Sequence, residues 1–245
     1  MTGWSTEAAS YRQREPFQHR IIGSTLVVSF ARPYHVLSWA ILNGGFRPKV
    51  SHIVNHQVES SSASTRPAKT LRQTAGRLGL KGTVVGLMTA ADVRAYSLAT
   101  ARHGELCASA ITTAGWANLA AVGEAASFVE GESPPFHPGT INLILVTNYR
   151  LTHEAMLEAV GIVTEAKVRI MYEYGLRSQA TGDPASGTGT DCIAVAAGSE
   201  RHYRFCGKHT KWGELVGRAS LGSIRGALKV ALPGKCGKSG GHIAG

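Results

Sequence analysis

The spacing of apolar positions changes several times along the chain, and each change marks where one element gives way to another. Residues 21–30 are dense in branched apolar side chains and predict a strand, with Gly23 as a bulge or as the join between two shorter strands. Arg32 and Pro33 are expected to end it. An apolar run over 37–46 stops at an Asn-Gly-Gly turn, and 49–54 predicts a short strand. A serine-rich loop over 59–65 precedes a helix over 67–78 ended by Gly79. Residues 83–88 predict a strand, after which Thr89 is expected to cap a helix over 90–102 ended by Gly104. Further strands are predicted at 108–113 and 140–147, separated by a polar, proline-containing excursion over 123–139.

The clearest helical pattern begins at Thr152. Leu151 and Met156 have hydrophobic-staple spacing, and apolar positions continue through Ala159, Val160, Val163, Ala166 and Ile170 to about Tyr174, with Gly175 just beyond. Residues 191–197 predict a strand and 211–232 a last helix, stopped by Pro233 and Gly234. That helix carries Gly213, Gly217, Gly222 and Gly226, each disfavoured by about 1 kcal/mol relative to Ala. Two glycine pairs at i,i+4 predict close approach of another backbone. Together the elements imply an α/β (mixed α+β) fold: one layered domain over 21–232, with mixed sheet covered by helices and a strand order that the pattern does not fix. Residues 1–20 read as an N-terminal extension and 233–245, without periodicity, as a disordered tail.

Composition narrows the setting. A chain of 245 residues with 43% hydrophobic content can bury one large core. Lys and Arg outnumber Asp and Glu by 26 to 16, a formal charge of +10. The basic residues are scattered, with small concentrations at 12–20, 66–77, 201–211 and 229–238 and no aromatic interleaving. A solvated basic surface is therefore expected, with no nucleic-acid partner. Cys107, Cys192, Cys206 and Cys236 are widely spaced without a Cys-x-x-Cys pair, which suits reduced thiols. The first 23 residues lack the apolar core of a signal peptide, and no run approaches the roughly 18 apolar residues of a membrane helix. A cytoplasmic protein with no membrane association is expected.

The candidate chemistry centres on 180–195, a glycine-punctuated run of hydroxyls and carboxylates that ends in an apolar strand. Gly182, Gly187 and Gly189 allow backbone N–H groups to turn toward a bound oxygen, while Thr188, Thr190 and Asp191 add polar side chains. The same composition also describes a long hairpin turn. Asp191 fits either a catalytic group or a buried acceptor for loop amides. Glu165 reads either as part of a solvated helix face, at ion-pair spacing from Arg169, or as a partly buried acid or base. His52 and His56 would share a face on a helix, but their surroundings are extended, which would hold them about 13 Å apart and unfit for one zinc. Cys206 and His209 have the spacing of half a zinc site without a second half. No metal site is expected.

Seven blocks in order carry a resemblance: SWAILNGG (38–45), VGLMTAADV (85–93), TTAGWAN (112–118), GTINLIL (139–145), TEAK (164–167), GTGTD (187–191) and HTKWGELVGRA (209–219). From about residue 21 to 232 the chain resembles the adenosylcobinamide amidohydrolase (CbiZ) family of corrinoid salvage. The resemblance implies hydrolysis of the amide joining aminopropanol to a propionate arm of the corrin, giving adenosylcobyric acid for cobalamin synthesis. It implies a corrinoid small-molecule substrate and no separate cofactor, cobalt entering only within the substrate. An Asp-x-His-x-x-Gly arrangement, associated with retained cobalamin, is missing from the sequence.

Amide hydrolysis needs a nucleophile, oxyanion stabilisation and protonation of the leaving amine. Asp191, Glu165, His209 and Glu214 are the acid/base candidates, and Thr190 and Thr188 the hydroxyl candidates beside the Gly189 amide. Asn43, Gly44, Asn118, Asn142, Thr188, Gly189 and Glu214 are candidates for binding the amide-decorated rim, since Asn both donates and accepts. Trp39 and Trp116 are either cleft walls or core. Two alternatives stay open: a self-processing hydrolase or acyltransferase with a threonine nucleophile, and a corrinoid carrier without turnover. A homo-oligomer is compatible with the glycine-rich helix.

Overall fold

The computed structural model describes residues 16–59, 66–125 and 139–231. The serine-rich loop, most of the 123–139 excursion and the C-terminal tail lie outside the described residues. Strands β1 (Phe17–Ile22), β2 (Thr25–Ser38), β3 (Gly45–Gln57) and β4 (Thr83–Thr89) are followed by β5 (Ser97–His103), β6 (Leu106–Ala114), β8 (Ile141–Thr147) and β11 (Cys192–Ala197). These eight form one sheet in the order β4-β3-β2-β11-β8-β6-β5, with β1 pairing with the first half of β2. Neighbours are antiparallel except β3 with β4 and β11 with β8, so the sheet is mixed. Short pairs join β7 (Leu119–Ala120) to β10 (Gly187–Thr188) and β9 (Arg150–Leu151) to β12 (His202–Tyr203). The helices are α1 (Pro67–Arg77), α2 (His153–Glu173) and α3 (Lys211–Ala231). The expected mixed α+β fold is what the chain adopts. Among the described residues no helix is long and apolar enough to cross a membrane.

The sheet is folded over on itself. On a flat sheet β4 and β8 would stand about 19 Å apart, four steps of about 4.8 Å. Instead the Asn142 amide of β8 donates to the Met88 carbonyl of β4 and to Asn55 Oδ1 of β3, both at 2.9 Å. Asn55 in turn donates to the Thr113 hydroxyl of β6 at 2.8 Å. Between the halves lies a core of Leu26, Val28, Ile53, Val85, Leu87, Ile111, Ile144 and Val146. The opposite face of β6, β8 and β11 is covered by α2 and α3 through Leu143, Leu145, Val163, Ile170, Val195 and Leu215. On the outer face of β3 and β4, Leu71 and Ala75 of α1 close over Val27, Val54 and Val84. This explains why β8 and β11 read as continuous apolar runs: both faces of each are buried.

Helix α2 matches its pattern. Thr152 caps it by accepting from the Ala155 amide at 3.3 Å, Leu151 and Met156 are buried beside the cap, and Gly175 follows the end at φ 60°. Thr152→Ala is expected to lower unfolding free energy by about 1 kcal/mol in urea denaturation, with Thr152→Ser restoring most of it. Of the four α3 glycines only Gly213 meets another backbone, a Cβ there lying 2.2 Å from the Gly207 carbonyl oxygen; Gly222 and Gly226 instead face the Ala99 and Ser97 side chains, at 2.8 and 2.0 Å, and Gly217 makes only an ordinary contact with Ile162 at 3.6 Å.

Two expectations are corrected. Residues 90–102 are not a helix: Asp92 accepts from the Arg94 amide to set a 3-10 turn at Val93–Ala95, and β5 then pairs with β6 across Gly104 at φ 54°. The alanines of this segment favour helix locally, but seven cross-strand pairs override that preference. Nor does Pro33 end its strand. β2 continues to Ser38 because its register with β3 shifts between Ser29 and Tyr34, and the irregularity takes up the residue that cannot donate. Gly23, at φ 58°, is the join between β1 and β2.

Candidate active site

The glycine-rich loop leads directly into β11 and is tied down along its length. Upstream, β10 pairs with β7. Thr140 Oγ1 donates to the Thr190 carbonyl at 2.8 Å, the Thr190 hydroxyl donates to the Gly139 carbonyl at 3.2 Å, and the Gly189 amide donates to the Asn118 carbonyl at 3.3 Å. From the turn after β2, the Trp39 indole N–H donates to the Asp191 carbonyl at 2.8 Å.

At the centre of the loop is the Asp191 carboxylate. Its Oδ1 accepts from the Ile141 amide at 3.0 Å and from the Thr188 hydroxyl; its Oδ2 accepts from the Thr188 amide at 3.0 Å and from the Lys167 ammonium. A carboxylate offers about four lone-pair sites, and all are engaged. The ion pair is nearly enclosed, with side-chain exposures of 14% for Lys167 and 8% for Asp191. Gly187 is required by this packing: a Cβ there would lie 2.4 Å from Asp191 Oδ2 and 2.7 Å from Lys167 Nζ. The adjacent Cys192 thiol is pushed up to about 11 by burial, and Cys206 up to about 12, so neither supplies a thiolate at neutral pH.

Thr188, Thr190, Gly189, Asp191 and Asn118 are brought together. The Asn118 side-chain amide lies over Gly189, with Nδ2 3.0 Å from where a Cβ would stand. Asn142 is close by, but its amide protons are bonded to Asn55 and Met88, and it is 1% exposed. Asn43 stands apart, holding the Val84 carbonyl at 2.7 Å in a turn at φ 56°, and Gly44 packs on the Ala40 backbone. These two shape the turn that leaves Trp39 and Ile41 exposed. Trp116 is half-buried against the α2 and α3 core.

The remaining acid/base candidates do not join the loop. Glu165 is exposed, not partly buried, and pairs with Lys208 at 2.8 Å. His209 and Glu214 flank the start of α3, where Trp212 packs on Tyr203 beside the C-terminal ends of β8 and β11. Among the described residues neither makes a hydrogen bond or ion pair with the Asp191 loop. Glu214 bonds Lys211 and Arg218 instead. His52 and His56 lie on β3, with Nδ1 atoms 2.9 Å from the Ser29 and Thr25 hydroxyls, and burial lowers the pKa of both.

Lys167 lies within the TEAK block (164–167), and its spacing alone assigns it no role. Its signal is its neighbourhood: Val163, Ala166 and Ile170, at i−4, i−1 and i+3, belong to the buried stripe of α2, an unusual place for a lysine without a partner.

Fold and site together define a mixed α+β protein with an enclosed carboxylate–ammonium–hydroxyl centre on a glycine-rich loop. The chain belongs to the adenosylcobinamide amidohydrolase (CbiZ) family, whose model matches residues 8–233. It is 31% identical over 223 residues to the uncharacterized protein MJ1613 of Methanocaldococcus jannaschii, covering 83% of this chain and 85% of that one. It is 27% identical over 199 residues to an adenosylcobinamide amidohydrolase of Methanosarcina mazei, covering 77% and 88%. A solved structure, the PH0078 protein from Pyrococcus horikoshii OT3, aligns at a TM-score of 0.43 with 10% identity, over 85% of this chain and 78% of that one.

Proposed function

We propose that this protein hydrolyses the amide between aminopropanol and the corrin propionate of adenosylcobinamide, releasing adenosylcobyric acid for corrinoid salvage in the cytoplasm. The observation that carries the reading is the family match over residues 8–233, which includes the whole Asp191 loop and Lys167. The geometry supports it. The loop offers a hydroxyl held by a carboxylate and an Asn118 side-chain amide that no other described residue engages, while Trp39, 52% exposed and fixed by its indole N–H, presents a flat apolar face beside them. Hydrolysis is redox-neutral, so the corrin cobalt enters as part of the substrate and the reaction calls for no electron carrier.

Incubation of the purified protein with adenosylcobinamide is expected to release aminopropanol and adenosylcobyric acid in equal amounts, followed by mass spectrometry. A spectral change on mixing with no product over hours would replace the enzyme with a carrier.

A further inference from the structure

We propose that Thr188 is the nucleophile and that the reaction passes through an ester between its Oγ and the corrin propionate. This rests on the reading of the chain as an amide hydrolase. Asp191 is saturated with donors. Two of its acceptor positions hold backbone N–H groups and a third holds the Lys167 ammonium, none of which can attack a carbonyl. The fourth holds the Thr188 hydroxyl. No lone pair is left to orient a water, so the carboxylate is placed to take a proton from Thr188 along a bond already made. Thr190 lacks such a partner, its hydroxyl donating to a backbone carbonyl.

In the first half-reaction the Thr188 Oγ–carbonyl bond forms as the hydroxyl proton passes to Asp191. The C–N bond then breaks and the proton moves to the departing amine, which leaves as aminopropanol. In the second, esterified Thr188 no longer donates to Asp191 Oδ1, so a water takes that acceptor position and adds to the ester carbonyl while giving a proton to Asp191; the C–Oγ bond breaks, and that proton passes to Thr188, leaving the corrin carboxylic acid. Asn118, whose side-chain amide lies over Gly189 beside Thr188, supplies the donor for the developing oxyanion in this scheme. Lys167 is a positioning residue that holds Oδ2 so that Oδ1 faces the hydroxyl.

The test is turnover of adenosylcobinamide in the presence of hydroxylamine, which intercepts an ester but has nothing to intercept if water attacks directly. Wild type should yield the corrin hydroxamate together with the acid. Thr188→Ala should lower aminopropanol release by at least about 1,000-fold with cobinamide binding retained, whereas Thr188→Ser should keep the hydroxamate product. Lys167→Met should lower kcat at unchanged KM without altering the hydroxamate-to-acid ratio. Aminopropanol without hydroxamate, released comparably by wild type and Thr188→Ala, would overturn the nucleophile and leave the hydrolase reading standing. No aminopropanol from wild type would overturn both.

Discussion

Asp191→Ala is expected to lower the unfolding free energy by about 3–5 kcal/mol. The carboxylate is 8% exposed and its partner Lys167 14%, so removing the carboxylate strands an ammonium away from water. It also strips the Ile141 and Thr188 amides of their acceptor. The surface pair Lys208 with Glu165, at 68% and 58% exposure, offers the contrast: Glu165→Ala should change stability by about 1 kcal/mol or less. Adding Lys167→Met to Asp191→Ala should recover a large part of the loss, because the stranded charge disappears. Urea unfolding of the two singles and the double reads this directly. A loss below about 1 kcal/mol for Asp191→Ala would show the pair to be solvated.

Asn142→Ala is expected to cost about 2–5 kcal/mol by a different route. The side chain bridges the two halves of the folded sheet, and its removal leaves Asn55 Oδ1 and the Met88 carbonyl without their donor in a site that is 1% exposed at both asparagines. Each unsatisfied buried group costs about 1–3 kcal/mol. Asn142→Ala should therefore shift the urea midpoint far more than Asn118→Ala, whose side-chain amide bridges no strands among the described residues. Equal shifts would contradict the role of Asn142 as the link across the fold.

The legible parts of this fold are those fixed by neighbours in sequence. Thr152, Leu151, Met156 and Gly175 mark both ends of α2, and each acts within one or two turns. The illegible parts depend on distant partners. β5 carries helix-favouring alanines and becomes a strand through β6, and the bend of the sheet rests on Asn55 and Asn142, which lie 87 residues apart. The site divides similarly. The Gly187 to Asp191 run was visible because glycines and hydroxyls sit together, and the structure closes it around one carboxylate. Lys167 and Glu165, two residues apart, look equally polar along the chain, and only one of them faces the loop. On a helix that separation is about 200°, which sends one side chain to the loop and the other to solvent. His209 belongs to a matching block but opens α3 at the far end of β11, a placement no spacing along the chain reveals.

Corrinoid amide hydrolysis is proposed to take place at the Asp191 loop. Its most direct test is a single-turnover assay with adenosylcobinamide, comparing wild type with Asp191→Asn and His209→Ala at equal occupancy by spectral titration. Wild type and His209→Ala should release aminopropanol at rates within about tenfold, and Asp191→Asn should be slower by at least about 1,000-fold with the corrinoid still bound. Release by Asp191→Asn at the wild-type rate, or loss of release in His209→Ala alone, would place the chemistry elsewhere.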